Sequence, residues 1–138
     1  MTRVLYVPFD QLNAGYGVMR FADKAADHIV LVESQRMLHG RPWHRQRLHF
    51  LLSSARHFAA QLESDGWRVS YVKSPTTLEG LQLVAGQYTN AEIVCANPNS
   101  FRAAAQLREF GASFVENDLF LTPRGVFYSW ASSQKQYT

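Results

Sequence analysis

The sequence predicts an α/β fold: a three-layer domain built on a five-stranded parallel sheet. Two observations predict it. Short apolar, β-branched runs recur along the chain without polar alternation, as expected of strands buried on both faces. Between them lie segments with helical periodicity or helix-capping residues. Strand–helix alternation of this kind implies parallel strands joined by right-handed crossovers. A third observation sets the scale: 138 residues, 46% of them hydrophobic, suffice for one core without disulfides or metals.

Arg3-Val4-Leu5-Tyr6-Val7 is the first predicted strand, halted by Pro8 and Asp10. Asp10 to Gly17 is a loop with Asn13, Gly15 and Gly17 as breakers. Val18 to Ala26 predicts a short helix or an irregular crossover, and His28 to Ser34 (HIVLVES) a second strand. From Pro42 or Trp43 to Asp65, Leu48, Leu51, Leu52, Ala55, Phe58, Ala59 and Leu62 form the stripe of an amphipathic helix. Pro42 suits its first turn and Gly66 its C′ position. Arg68 to Lys73 is the third strand. Thr76 or Thr77 caps a helix to about Tyr88, with Glu79 near its positive end. Glu92 to Ala96 is the fourth strand, and Ser100 caps a helix through Phe110 that Gly111 ends. Ser113 to Glu116 is the fifth strand, and Pro123 to Ala131 a last short helix. The domain is expected over 1–131. The polar tail 132–138 reads as a frayed end or as the start of a linker.

Composition narrows the function classes. The formal net charge of +3 suits an anionic partner but is too small to indicate nucleic-acid binding. The lone cysteine, Cys95, lies in an apolar run and reads as a core residue of a protein in a reducing, cytoplasmic setting. No segment approaches the roughly 20 apolar residues of a membrane span, so no membrane partner is expected. Gly15-Tyr16-Gly17 lacks the third glycine of a dinucleotide loop, and neither a P-loop nor a GxSxG elbow is present.

In an open parallel sheet, ligands bind beyond the carboxyl ends of the strands. The loops to search are therefore Asp10-Gln11-Leu12-Asn13, Glu33-Ser34-Gln35-Arg36 and Asn97-Pro98-Asn99-Ser100. Asp10 and Glu33 are either capping and turn residues or a pair of acceptors for a polar heterocycle. His39, His44, His49 and His57 are spaced to point in different directions on a helix and read as surface or capping residues, with no metal site expected. The stretch Arg36 to His57 holds five arginines, four histidines and no acid. It is either a solvated face or a positive wall for a phosphate, a ribityl chain or a neighbouring domain.

Several of these stretches together resemble one family. They are Phe9-Asp10-Gln11-Leu12, Val32-Glu33-Ser34, His44-Arg45-Gln46-Arg47-Leu48 leading into Ser54-Ala55-Arg56-His57-Phe58-Ala59, Gly66 to Val72, and Asn117-Asp118-Leu119-Phe120-Leu121-Thr122. In order and spacing they are similar to the N-terminal domain of the photolyase-related, iron–sulfur bacterial cryptochrome and photolyase group. The resemblance implies a Rossmann-like antenna domain that holds a ribityllumazine-type chromophore and is not catalytic alone. It implies contacts from Asp10, Gln11, Leu12, Glu33, His44, Arg47 and Leu48. It further implies a partner: a C-terminal helical domain with FAD and a 4Fe-4S cluster, through which the parent protein, a carbon–carbon lyase or a photoreceptor, reaches DNA. The chain's single cysteine cannot supply that cluster's ligands. The family usually carries glycine where this chain has Phe9, and often an acid where it has Asn97-Pro98; the Phe9 ring is expected to narrow or reshape the pocket. Two other readings of the residues stay open: a stand-alone small-nucleotide-binding module and a non-catalytic interaction domain. An isolated half of a two-domain protein is also expected to self-associate through its exposed interface.

Overall fold

The computed structural model describes residues 1–134. Five parallel strands run β1 (Arg3–Tyr6), β2 (His28–Ser34), β3 (Val69–Ser74), β4 (Glu92–Ala96) and β5 (Ser113–Val115). Their order across the sheet is β3-β2-β1-β4-β5. Five α-helices follow in sequence: α1 (Gln35–His39), α2 (Arg45–Ser64), α3 (Thr77–Ala85), α4 (Phe101–Glu109) and α5 (Arg124–Ser133).

Strand alternation divides the core into two layers. Leu5, Val7, Ile29 and Leu31 face α2, whose Ala55, Phe58, Ala59 and Leu62 cover them. Val4, Tyr6, Val30, Val32 and Cys95 face the other way, under Leu81 and Val84 of α3 and Leu107 of α4. The three-layer α/β architecture is thus the one the apolar runs predict. At the amino end of the sheet, the fully buried Asp27 accepts from Arg3 Nε at 2.9 Å and from the Asp23 amide at 2.7 Å. This is the satisfied state a buried carboxylate requires.

Several boundaries differ from the sequence expectation, each for a local reason. The long helix starts at Arg45 because His44 is its N-cap, with Nδ1 accepting from the Gln46 amide at 3.3 Å. Pro42 and Trp43 stay outside it, and the Trp43 indole donates to the Met37 carbonyl at 2.8 Å. Gly66, at φ +84°, closes the other end in the left-handed region that favours glycine. The Val18–Ala26 stretch resolves into a 3-10 turn over Gly17–Phe21 followed by turns. The helix expected to reach Tyr88 stops at Ala85. The last helix takes in Ser132 and Ser133 of the expected tail, whose final residues, 135–138, lie outside the described residues. Among the described residues, no helix is long and apolar enough to cross a membrane.

Candidate functional site

The chain leaves β1 toward β2 and returns to the opposite side of it at β4, so strand order reverses between β1 and β4. Such a reversal opens a crevice at the carboxyl ends of the two strands. A cavity of about 590 Å³ opens at this end, on the α3 and α4 side of the sheet. That volume suits a small heteroaromatic ligand.

Each element contributes to its wall by a local rule. Alternation turns Tyr6, Pro8 and Ser34 toward it, since Tyr6 belongs to the α3-facing layer. Ser34 also caps α1, its Oγ accepting from the Met37 amide at 3.3 Å. Capped there, α1 and the segment after it bring Arg36, Met37, Arg41 and Trp43 to the rim. The Arg41 guanidinium stacks 3.9 Å from the Trp43 ring centre. Thr76 and Thr77 enter from the start of α3, Thr76 in a reciprocal cap with Glu79. Arg102, Ala103 and Gln106 enter from α4. Burial pushes the Tyr6 hydroxyl pKa far up, so it stays protonated as a hydrogen-bonding group.

None of the seven residues named from the sequence is among those that line this cavity. Arg47 lies against one lining residue, its guanidinium 5.0 Å from the Trp43 ring centre. His44 serves as the cap of α2, beside half-buried Leu48. Asp10 is exposed just beyond β1 and accepts from Asn99 at 2.9 Å. The Asn117 amide in turn donates to Asn99 Oδ1 at 2.9 Å and to the Asn97 carbonyl at 2.8 Å. A polar rail thus ties together the loops after β1, β4 and β5.

Gln11, Leu12 and Glu33 lie on the α2 side. Gln11 is 4% exposed, and neither atom of its carboxamide has a hydrogen-bond partner among the described residues; the same holds for buried Asn97 Oδ1. Buried polar groups of this kind ordinarily find a partner in an ordered water. Glu33, by contrast, is fully engaged. Arg56 donates to it through Nε and Nη2 at 2.9 to 3.1 Å, and the Tyr71 hydroxyl at 2.6 Å. Burial alone would raise its pKa, but the Tyr71 and Arg56 hydrogen bonds and nearby positive charge outweigh it and hold the carboxyl below its usual range. Phe9 stacks on Tyr71 at a ring separation of 6.3 Å. Its ring therefore fills the α2 side and does not enter the cavity lining.

Sequence reasoning missed Tyr6, Trp43, Thr77 and Arg102, and named Ser34 only as part of a loop to search. Tyr6 and Ser34 turn inward by strand phase, which an apolar run without alternation does not carry: Glu33 and Ser34 are neighbours that face opposite ways. Sequence reasoning did single out the basic stretch that supplies Arg36 and Arg41. The lining would suit a ribityllumazine-type ligand: Ser34, Thr77 and Gln106 would offer hydrogen bonds to a polyol, and Met37, Trp43, Leu78 and Leu107 apolar surface to a ring. An iron–sulfur cluster does not fit, because the chain's one cysteine, Cys95, is buried in β4, where desolvation pushes its pKa up to about 12.

The family described as deoxyribodipyrimidine photo-lyase-related protein matches residues 5–138. A curated relative, a (6-4) photolyase of Agrobacterium fabrum (strain C58 / ATCC 33970), is 26% identical over 150 aligned positions. That alignment takes in 100% of this chain and 30% of the relative's length. The chain belongs to the deoxyribodipyrimidine photo-lyase-related protein family.

Proposed function

We propose that this domain binds a heteroaromatic light-harvesting chromophore of the ribityllumazine or flavin type. It would serve as the antenna end of a photolyase-like flavoprotein engaged in light-driven DNA repair or light sensing. The carrying observation is the cavity of about 590 Å³ at the switch in strand order, in a chain of the photolyase-related family. The bound chromophore would supply light absorption and excitation transfer. The residues of this chain bind it, fix its orientation and keep water away: Ser34, Thr77 and Gln106 by hydrogen bonding, Met37 and Leu107 by packing.

FAD, the 4Fe-4S cluster and contact with DNA belong in this proposal to a helical domain docked on the face of α5. There Val126, Phe127, Tyr128 and Trp130 are each 53% or more exposed. The relative's greater length, of which this chain spans 30%, leaves room for such a partner.

The test is a fluorescence titration of the purified chain with 6,7-dimethyl-8-ribityllumazine, riboflavin and FMN. At least one is expected to bind saturably, and Ala103→Trp, which fills the cavity, is expected to abolish binding. A chain that binds none of them, but binds ATP tightly, would be a small-nucleotide module instead. A chain that binds no small molecule at all would be an interaction domain.

A further inference from the structure

The cavity wall carries three arginines, Arg36, Arg41 and Arg102, and no aspartate or glutamate. They come from separate elements, α1, the segment after it and the first turn of α4. Among the described residues none of the three guanidinium groups donates a hydrogen bond or pairs with a carboxylate. The ion pairs among the described residues lie elsewhere: Arg3 with Asp27, Arg20 with Asp118 and Arg56 with Glu33. Arg45, Arg47 and Arg108 on the surface are likewise without a carboxylate among the described residues, but Arg36, Arg41 and Arg102 share one concavity. Like charges gathered around one concavity repel each other and focus potential on an anion. A guanidinium is also the donor whose forked geometry fits phosphate best.

A neutral ring-and-polyol ligand gives these groups hydrogen-bond acceptors but no opposite charge. We infer that the cavity selects a phosphate-bearing heteroaromatic ligand: a phosphomonoester held by Arg102 and Arg36, with the ring against the apolar wall of Met37 and Leu107. This inference takes its location from the chromophore reading above and adds the anionic chemistry of the ligand. The shared chemistry, a phosphate on a ring-bearing molecule, is met by flavin mononucleotide and by a purine nucleotide, and the experiment separates them.

Two matched pairs isolate the phosphate: FMN against riboflavin, and AMP against adenosine. Binding is followed by flavin fluorescence and by calorimetry. FMN is expected to bind at least about tenfold more tightly than riboflavin, as charge-assisted phosphate contacts require. That ratio should shrink as salt rises from about 0.05 to about 0.5 M. Arg102 is exposed on α4, so Arg102→Ala leaves the core intact. The variant is expected to cut the ratio about fivefold or more, weakening FMN binding more than riboflavin binding. FMN and riboflavin binding equally within about twofold, or ribityllumazine binding alone, would overturn the phosphate inference and leave the chromophore reading standing. Discrimination within the AMP pair, with no flavin or lumazine bound, would support the phosphate inference and overturn the chromophore reading. If none of these ligands bound, both would fall.

Discussion

Glu33 and His28 stand at opposite ends of β2, and each is polar, buried and satisfied. At Glu33 the Tyr71 hydroxyl supplies one of the donors that keep the carboxylate ionised. Tyr71→Phe removes that donor and leaves Arg56 in place. Losing a hydrogen bond to a buried charge costs roughly 1.5–3 kcal/mol, and the partial exposure of the pair places the expected loss near about 1.5 kcal/mol. Urea unfolding measures it, and a change under about 0.3 kcal/mol would show that the bond contributes nothing. His28 sets a pH dependence. Its ring hydrogen-bonds Tyr88, and Ser70 at 2.9 Å. Burial first, and the charge of Arg68 second, lower its pKa from 6.5. The folded His28 thus resists a proton that the unfolded chain accepts. Its stabilisation is present above pH 6.5 and is lost as pH falls through the lowered folded value. The Glu33 contribution has the same sign but lies lower, lost only below the ordinary glutamate range. Urea midpoints are therefore expected to decline just below pH 6.5 in the wild type and to stay level there in His28→Gln. An unchanged slope in the variant would assign the decline to other groups.

At the scale of the element, α3 is set against the sheet by one glycine. A Cβ on Gly80 would stand 2.6 Å from Val32 Cγ1 and 2.7 Å from Ser74 Oγ. Alanine would gain up to about 1 kcal/mol of helix propensity, yet overpacking of this kind costs about 1–3 kcal/mol. Gly80→Ala is expected to be net destabilising, against the usual direction of that change, and a thermal melt reads the sign directly. The same scale explains what was legible in the sequence. The α2 stripe is long enough for its period to be unambiguous; Ala55, Phe58, Ala59 and Leu62 are buried as expected, while Leu48, Leu51 and Leu52 at its start are only half-buried. Strands β2 and β4 were legible as apolar runs, because a parallel sheet buries both faces. Helix α1 was not legible: five residues carry no period, and Ser34 and Trp43 hold it from outside its own span. The cavity was only half legible for a related reason. The carboxyl ends of the strands could be named from topology, but which of two adjacent residues faces inward depends on strand phase. In an apolar run without alternation, that phase is unwritten.

For the molecule as a whole, the uneven treatment of its apolar surface matters most. The sheet is covered by α2 on one side and by α3 and α4 on the other, and β1 is buried between its neighbours. Helix α5 has no fully buried residue. Phe127 packs on Tyr128 and Trp130 at ring separations of 6.3 and 5.8 Å, so its aromatics group with one another on the surface. Phe120 and Leu121, just before the helix in sequence, are also exposed, at 60% and 105%. Such an apolar face on a small domain marks an interaction surface, and it supports the docking role proposed for α5. It also makes a definite prediction for the chain alone. The patch should pair with itself, giving a concentration-dependent dimer in sedimentation at tens of micromolar, roughly the strength of a small interface. The double change Phe127→Ser, Trp130→Ser should return the chain to a monomer. Because these side chains are exposed, it should alter unfolding free energy by no more than about 0.5 kcal/mol. A dimer that survives the change would place the contact elsewhere. A large loss of stability would mean that α5 belongs to the core of the domain and is not the surface on which a partner lies.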